Sequence, residues 1–582
     1  MTEINLKTAG RDGSTYTPEL ECLHYTVNGK DRSVYLYIGK AFVVANPIIF
    51  IYTPAGCDIH DFAEKHGWLE EAKKHGNILV FPEAYGEWIK QEDIELWKMI
   101  QGISDLRFKT HNTRQYICGY GDGAAMAEHV VQYSPEFFAG VVLYDVPEIG
   151  RAVLDEGGAR ISTEYTNYSD VMKDYPVIYS RDVEQNILIV ADEPEKLKET
   201  EEYWRNVGKG SNPFAGIRIS SPAENWDAEK IYTQFFSKTR RYRIAPNGEL
   251  REASDYRENP NARRYYEKLA SDVEREWIEV LPSDYDPQVK YPLIIAIHGS
   301  NNDGPQFYDI TRLWEIAEAR RCIVLFPTAL RSEKAYEAWN FYSHTPDDNG
   351  NDDESFLLAL IKRYQTEYSG DPARTYITGF SNGGGMTNWM AMNHPEIFAA
   401  VMPYSGTHKK PQYYTPFDEN SVLLPYWMNR GELEYKPASL SVVQAGTEQW
   451  AYWRKRNGLA ELPDRTIDEP RTVTQIFSGR VETRYTTRKL AHHAILSEQY
   501  WDICDNFFFR FRRGKHGESI EDGYTHTTRI AGRNVRLMQS KRIDGHIYVS
   551  VQEVKKTIGR EIPEEEIIRE CEIDGETYIQ IA

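Results

Sequence analysis

Along most of this chain, short runs of β-branched and aromatic residues alternate with longer amphipathic runs. In the second half the series reads PLIIAIHG, LWEIAEA, IVLFPTA, FLLALIKRY and RTYITGF, and a segment rich in small residues follows it. The short runs have no polar face, so each fits a strand buried on both sides, and the amphipathic runs fit the helices that bury it. Strand and helix in alternation predict an α/β fold in which doubly wound, mostly parallel sheets are covered on both faces.

The pattern occurs twice. RQYICGYGDG at Arg114–Gly123 and RTYITGFSNG at Arg374–Gly383 are 260 residues apart, and the same offset relates SPEFFAG at Ser134 to HPEIFAA at His394. NILVFPEA from Asn77 and CIVLFPTA from Cys322 are 245 apart, so the second copy carries 15 more residues between these landmarks. EYWRNVG at Glu202 and AYWRKRNG at Ala451, then WDAEKIYTQFF at Trp226 and WDICDNFFF at Trp501, extend the repeat over nearly a whole domain.

The expected division is one α/β domain over 1–240, a linker over 241–270, a second α/β domain over 271–516, and a small β-rich module over 517–582. In that last segment RIDGHIYVSVQEVKKTIG and EIDGETYIQI each place a tight turn before alternating strand residues. This tail weakly resembles the short stalk-like domain named after the amine oxidase N-terminus.

Charge and composition narrow the partners. A net charge of -20 over 582 residues argues against DNA, RNA or an anionic membrane, which are bound through clusters of Lys and Arg. The one basic run, Arg510, Arg512, Arg513 and Lys515, follows an aromatic helix-like stretch and is expected to be a solvated helix terminus. The six cysteines are scattered without a CxxC pair, as suits a reducing compartment. Met1–Pro18 has no apolar core of the signal-peptide kind, and no uncharged run is long enough to span a bilayer. The expected location is the cytoplasm, or outside the cell if a signal peptide has been removed.

Gly379-Phe380-Ser381-Asn382-Gly383 fits the Gly-x-Ser-x-Gly elbow, whose glycines let a strand turn sharply into a helix with the central side chain exposed. Ser381 is the expected nucleophile. A serine hydroxyl needs a histidine to take its proton, and in this fold that histidine comes late in the chain. His492 and His493 follow VETRYTTRKL and precede YWDICDNFFF; His493 is the preferred base, with His492 open. The orienting acid is sought after LLPYWMNRG, where Glu434 has the better spacing, with Glu432 and Asp418 as alternatives. Oxyanion stabilisation requires backbone N–H groups from the residue after the nucleophile, Asn382, and from the first strand–helix loop, where Ser300 is the expected donor. His298, in the same loop, is grouped with the substrate-binding residues, its ring bracing the loop rather than acting as a base.

With these motifs in place, Asp284–Phe509 resembles the polyhydroxybutyrate depolymerase, feruloyl esterase and acetylxylan esterase superfamily of α/β-hydrolases. The resemblance rests on His298-Gly299, on Trp339-Asn340-Phe341-Tyr342, on DPARTYITGFSNGGGM and on HPEIFAAVMPYSG. It implies two tandem α/β-hydrolase domains, the triad above, Trp339 and Asn340 beside the acyl site as substrate-binding residues, and no metal or organic cofactor. Two departures stand out. Gly431-Glu432-Leu433-Glu434 has glutamates where the family usually has aspartate, and Ala491 precedes the histidines where a glycine is usual.

The implied activity is that of a serine carboxylic ester hydrolase acting on a hydroxycinnamate, acetyl-sugar or hydroxyalkanoate-type ester. A peptidase or thioesterase on the same fold, and a non-catalytic scaffold, are the rivals. The first copy has Gly121 at the nucleophile position, Pro54 in the oxyanion loop and no histidine between Asn186 and Phe236. Asp122 lies one residue past the elbow tip and is not expected to attack. That copy is therefore expected to be inactive, serving as a structural partner, a homo-oligomer contact or a substrate-binding module.

Overall fold

The computed structural model describes residues 19–39, 46–101, 110–162, 176–208, 212–242, 248–330, 338–342, 345–348, 350–407, 410–432, 434, 440–489, 499–530 and 533–581. It separates into two units, Met1–Ser254 and Asp255–Ala582. In the first, Leu20–Val27 (β1), Lys30–Ile38 (β2), Asn46–Tyr52 (β3), Ile78–Pro82 (β4), Thr110–Tyr120 (β5), Gly140–Tyr144 (β6), Asn186–Val190 (β7) and Gly216–Ser220 (β8) form one sheet. Its order is β1-β2-β4-β3-β5-β6-β7-β8. A hairpin of Thr239–Tyr242 (β9) and Glu249–Glu252 (β10) follows.

The second unit repeats this order with its own strands: Ala262–Lys268 (β11), Glu274–Val280 (β12), Tyr291–Ile297 (β13), Ile323–Thr328 (β14), Gly370–Phe380 (β15), Ala400–Tyr404 (β16), Tyr426–Gly431 (β17), Arg465–Asp468 (β18), Thr472–Phe477 (β19) and Thr483–Arg488 (β20). They run β11-β12-β14-β13-β15-β16-β17-β20-β19-β18. In both sheets the first two strands are antiparallel and the centre is parallel. In the second, the hairpin β18–β19 adds an antiparallel edge. β3 and β13 are buried at every position, which is why their sequences read as unbroken apolar runs. Among the described residues no helix is long and apolar enough to cross a membrane.

The same bonds recur at matching places. Tyr116 donates its hydroxyl to the Thr239 carbonyl at 2.8 Å and stacks on Phe236; Tyr376 donates to Phe511 at 2.7 Å and stacks on Phe508. Arg241, fully buried, donates to the carbonyls of Phe138, Gly248 and Glu184. Arg513, also buried, donates to those of Phe398, Leu423 and Pro395, each at 2.7 Å. Each guanidinium satisfies carbonyls at the ends of several elements at once, a use that suits its rigid fork of donors.

Two expectations are corrected here. The basic run is not a solvated helix terminus, because Arg513 is inside, Arg510 pairs with Glu482 and Glu521, and Arg512 pairs with Asp522 and Asp574. The 241–270 segment is not a plain linker, because it carries the end of β9 and all of β10 and β11. Its charged, aromatic composition belongs to short strands, where ion pairs such as Arg264 with Glu276 replace an apolar face.

Phe511–Arg513 (β21), Ser519–Ile530 (β22), Arg533–Ile543 (β23), His546–Ser550 (β24), Ile567–Ile573 (β25) and Glu576–Ile581 (β26) form the last sheet, in the order β21-β22-β23-β24-β26-β25. The helix Val551–Ile558 packs Val554 and Ile558 on Ile530, Leu537, Val549 and Ile579. β21 packs on β15 as β9 packs on β5, so the hairpin β9–β10 holds in the first unit the place where this sheet begins in the second.

Two stability predictions follow from buried polar groups. Arg513→Ala leaves the carbonyl oxygens of Phe398, Leu423, Pro395 and Gly517 without this donor and is expected to cost about 3 kcal/mol or more, read as a lowered urea midpoint of the full chain. The second concerns Glu128, which is buried and accepts from Trp204 Nε1 at 2.5 Å, at the place where Asn388 accepts from Trp453. Burial first, and then the charge of Glu148, raise its carboxyl from 4.5 to about 7, against the Trp204 hydrogen bond. The native state therefore holds this proton more tightly than the unfolded chain, and stability falls as pH rises from about 4.5 to about 7. Glu128→Gln removes that loss: relative to wild type it is expected to gain about 3 kcal/mol between pH 4.5 and pH 8, measured by urea unfolding at both values.

Candidate active site

Ser381 is the single residue between the end of β15 at Phe380 and the helix Asn382–Asn393. The serine sits at φ 52°, ψ -114°, a conformation that costs a non-glycine residue of order 1–3 kcal/mol. It is held there by its own N–H to the Tyr404 carbonyl at 2.8 Å and by its carbonyl to the Gly385 N–H at 3.0 Å. The three glycines that follow explain how the helix gets so close. A Cβ on Gly383 would lie 2.2 Å from the His298 carbonyl oxygen, one on Gly384 2.7 Å from the Gly406 Cα, and one on Gly385 3.0 Å from the Phe341 ring. The helix N-terminus is thereby pressed against the loop after β13.

Register carries the other expected residues to one edge. Ile297 pairs with Gly379, Phe380 with Tyr404, Tyr404 with Asn429, and Gly431 with Arg488, so the loops after β13, β15, β17 and β20 all leave the carboxyl edge of the sheet. That is where open α/β sheets bind their ligands. Ser300 is exposed on the first of these loops. Among the described residues, neither its N–H nor that of Asn382 has a hydrogen-bond acceptor. Two backbone donors beside a serine at a helix N-terminus can hold a developing oxyanion.

Glu434 lies on the loop after β17. It closes a tight turn, its N–H donating to the Gly431 carbonyl and its Oε2 accepting from the Gly431 N–H, both at 3.2 Å. Burial raises the Tyr485 hydroxyl above its ordinary value, with the Arg430 and Glu434 charges acting on it in opposite senses, which places both charges beside β20. Glu432 is exposed, and its N–H donates to the Arg488 carbonyl at 2.8 Å. Asp418 precedes β17 instead of following it and caps its own turn through the Asn420 N–H and Ser421 hydroxyl, so it does not reach the strand ends. His492 and His493 lie outside the described residues, in the stretch that follows Lys489 at the end of β20.

Trp339 and Asn340 are buried and engaged in holding loops instead of facing a substrate, and the ring of His298, also buried, braces its loop. His298 Nδ1 donates to the Gly299 carbonyl at 2.7 Å while Nε2 accepts from the Ala329 N–H at 2.9 Å. Trp339 Nε1 donates to the His298 carbonyl at 2.9 Å, and its backbone grips the Asn382 side chain, N–H to Oδ1 at 2.6 Å and carbonyl to Nδ2 at 3.2 Å. Asn340 donates to Asp348 and to the Asn351 carbonyl, and its own N–H donates to Asp353 at 2.7 Å. Asp353, missed from sequence, is buried and paired with Arg275. The repeat carried its signal: Asp93, 260 residues earlier, pairs with Arg32 and accepts from the Ile89 N–H. Of the 15 extra residues of the second copy, nine lie between Trp339 and Asp353, and Asn340 is the polar anchor that this longer loop requires.

The first unit keeps the frame and differs at the tip. Gly121 has φ 56°, ψ -129° and donates to the Tyr144 carbonyl at 2.9 Å, and Trp88 Nε1 donates to the Thr53 carbonyl at 2.9 Å. Ala55 stands where Ser300 does, but its N–H donates at 3.1 Å to the Asp122 carboxylate, which also takes the Gly123 N–H at 3.1 Å. A side chain at the Asn382 position is thus turned into the anion site in one unit and held aside by Trp339 in the other. Pro54 lies over the tip, its Cγ 3.6 Å from where a Gly121 Cβ would be.

Parts of this chain are similar to known proteins. Residues 282–410 match the family model described as Esterase PHB depolymerase. A feruloyl esterase B of Neurospora crassa is 32% identical over 117 residues, 20% of this chain and 39% of that protein. The chain thus spans about two fifths of that relative. A probable acetylxylan esterase A of Aspergillus fumigatus is 25% identical over 328 residues, 56% of this chain and 73% of its own length. A solved acetyl xylan esterase from Aspergillus awamori aligns with a TM-score of 0.34 at 18% identity, covering 41% of this chain and 98% of that one.

The contrast between Asn382 and Asp122 is testable. Asn382→Asp loses the amide that donates to Trp339 and puts a carboxylate beside the Ser300 N–H, as in the first unit. Labelling of Ser381 by a fluorophosphonate at pH 8 is expected to slow at least about tenfold, because an internal anion competes for the donors that the tetrahedral adduct needs. The free energy of unfolding by urea should change by less than about 1 kcal/mol.

Proposed function

We propose that the second unit is a serine carboxylic ester hydrolase acting through an acyl-enzyme. Ser381 attacks the ester carbonyl while His493 takes its proton, Glu434 orients the imidazole, and the Ser300 and Asn382 N–H groups hold the oxyanion. Collapse expels the alcohol, which receives the proton from His493, and water releases the acid by the same steps. The observation that carries this reading is the strained serine beside two backbone N–H groups without acceptors, at the same sheet edge where β17, which precedes Glu434, and β20 both end. The match to an esterase family model, and relatives named feruloyl and acetylxylan esterases, favour hydroxycinnamoyl or acetyl esters borne on sugars.

The first unit is read as a second copy of the same fold that has lost its nucleophile and whose Ala55 N–H, at the Ser300 position, is occupied by the Asp122 carboxylate. No step of the reaction needs it, and its contribution is to the stability or assembly of the chain.

The test is turnover of p-nitrophenyl acyl esters and methyl hydroxycinnamates. Ser381→Ala and His493→Ala are each expected to lower kcat by about 10³-fold or more, and His492→Ala by less than about tenfold. Turnover that survives in Ser381→Ala, or folded wild type that neither turns over nor takes a fluorophosphonate label, overturns the reading.

A further inference from the structure

A cavity of about 820 Å³ lies in the second unit, apart from every residue assigned above to ester hydrolysis. Its floor is one face of β17, β20, β19 and β18, where register sets Arg465, Ile476 and Arg484 in one row and Ile467 and Thr474 in the next. Its walls are the helix Gln499–Asn506 and residues Gly523–Thr525 of β22. It thus exists only because the last sheet stands against the sheet extension β18–β19. Its size is that of a small-molecule cleft.

The lining selects the ligand by chemistry. Arg484 is engaged by Glu482 and the Asn506 carbonyl, and Arg510 by Glu482 and Glu521. Glu469 and Asp502 line the same space and repel a polyanion, while Arg465, exposed and without a hydrogen bond or ion pair among the described residues, disfavours a polycation. The lining mixes donors such as Arg465, acceptors such as Glu469 and Asp502, and Thr474 and Asn506, which do both, a mixture that matches hydroxyls, each of which gives and takes. One aromatic ring is aimed here by the backbone: the β22–β23 register slips on both sides of Tyr524, and Gly523 adopts φ +67°. A β-bulge re-aims the side chain it carries, and a tyrosine ring offers an apolar face with a polar tip.

We propose that this cavity binds a neutral oligosaccharide, holding the polymer on which the ester is carried while Ser381 acts on the ester itself. The site's use rests on the ester-hydrolase reading, whereas its existence does not. The test is titration calorimetry of the full chain with xylohexaose, cellohexaose and hexagalacturonate, together with p-nitrophenyl acetate turnover.

Wild type is expected to bind a neutral hexasaccharide, Tyr524→Ala to weaken it at least tenfold, and Arg465→Ala, which removes a side chain with no partner and so leaves the fold alone, at least threefold. Turnover of p-nitrophenyl acetate by both variants should stay within twofold of wild type. The proposal falls if wild type binds no neutral sugar, if it prefers hexagalacturonate, or if neither variant loses affinity. Sugar binding without p-nitrophenyl acetate turnover leaves the cavity standing and removes the reading of Ser381.

Discussion

Much of the second unit is arranged around one close approach, the first turn of the helix Asn382–Asn393 against the carbonyls that end β13. Gly383 can lie on the Ile297 and His298 carbonyl oxygens only because it has no Cβ. That contact holds Ser381 in its strained backbone, points the helix N-terminus at the loop after β13, and leaves room for no side chain larger than hydrogen at Gly384 and Gly406. The cost of the strain is borne by the surrounding hydrogen bonds, since the serine N–H and carbonyl are both fixed within the sheet and helix.

Fixing the helix is not enough, because the loop it presses against must also stay put. The Trp339 indole, the two nitrogens of His298 and the Asp353–Arg275 pair do this from behind, none of them exposed to solvent. Their counterparts Trp88 and Asp93–Arg32 do the same in the first unit, where no serine needs positioning. Such retention identifies them as parts of the fold. The polar residues that differ, Asn382 against Asp122 and Ser300 against Ala55, are the ones at the tip.

A second theme is the buried arginine that ties strand ends together. Arg241 gathers three backbone carbonyls and Arg513 four, and each lies where a further β element begins. In the first unit that element is a single hairpin; in the second it grows into a six-stranded sheet with its own core. The larger sheet creates the cavity against β18–β20, a surface with no equivalent in the first unit's described residues.

The sequence by itself determined the alternation of strand and helix, the repeated order of landmarks, the elbow at Ser381 and the edge of the sheet to which Glu434 and the histidine loop belong. These depend on local pattern: apolar runs that must be buried, glycines that permit one turn, and strand order that follows from the repeat. What only the tertiary structure decided is which polar residues face inward. Trp339 and Asn340 look like ligand contacts because they are polar or aromatic and share a domain with the Gly-x-Ser-x-Gly elbow, yet their hydrogen bonds close on backbone that no local pattern reveals. Arg513 likewise reads as a surface charge until the carbonyls of Phe398, Leu423 and Pro395, all more than 80 residues away in the chain, are brought around it. Burial of a polar group is stable only when all its partners converge, and convergence is a property of the folded chain.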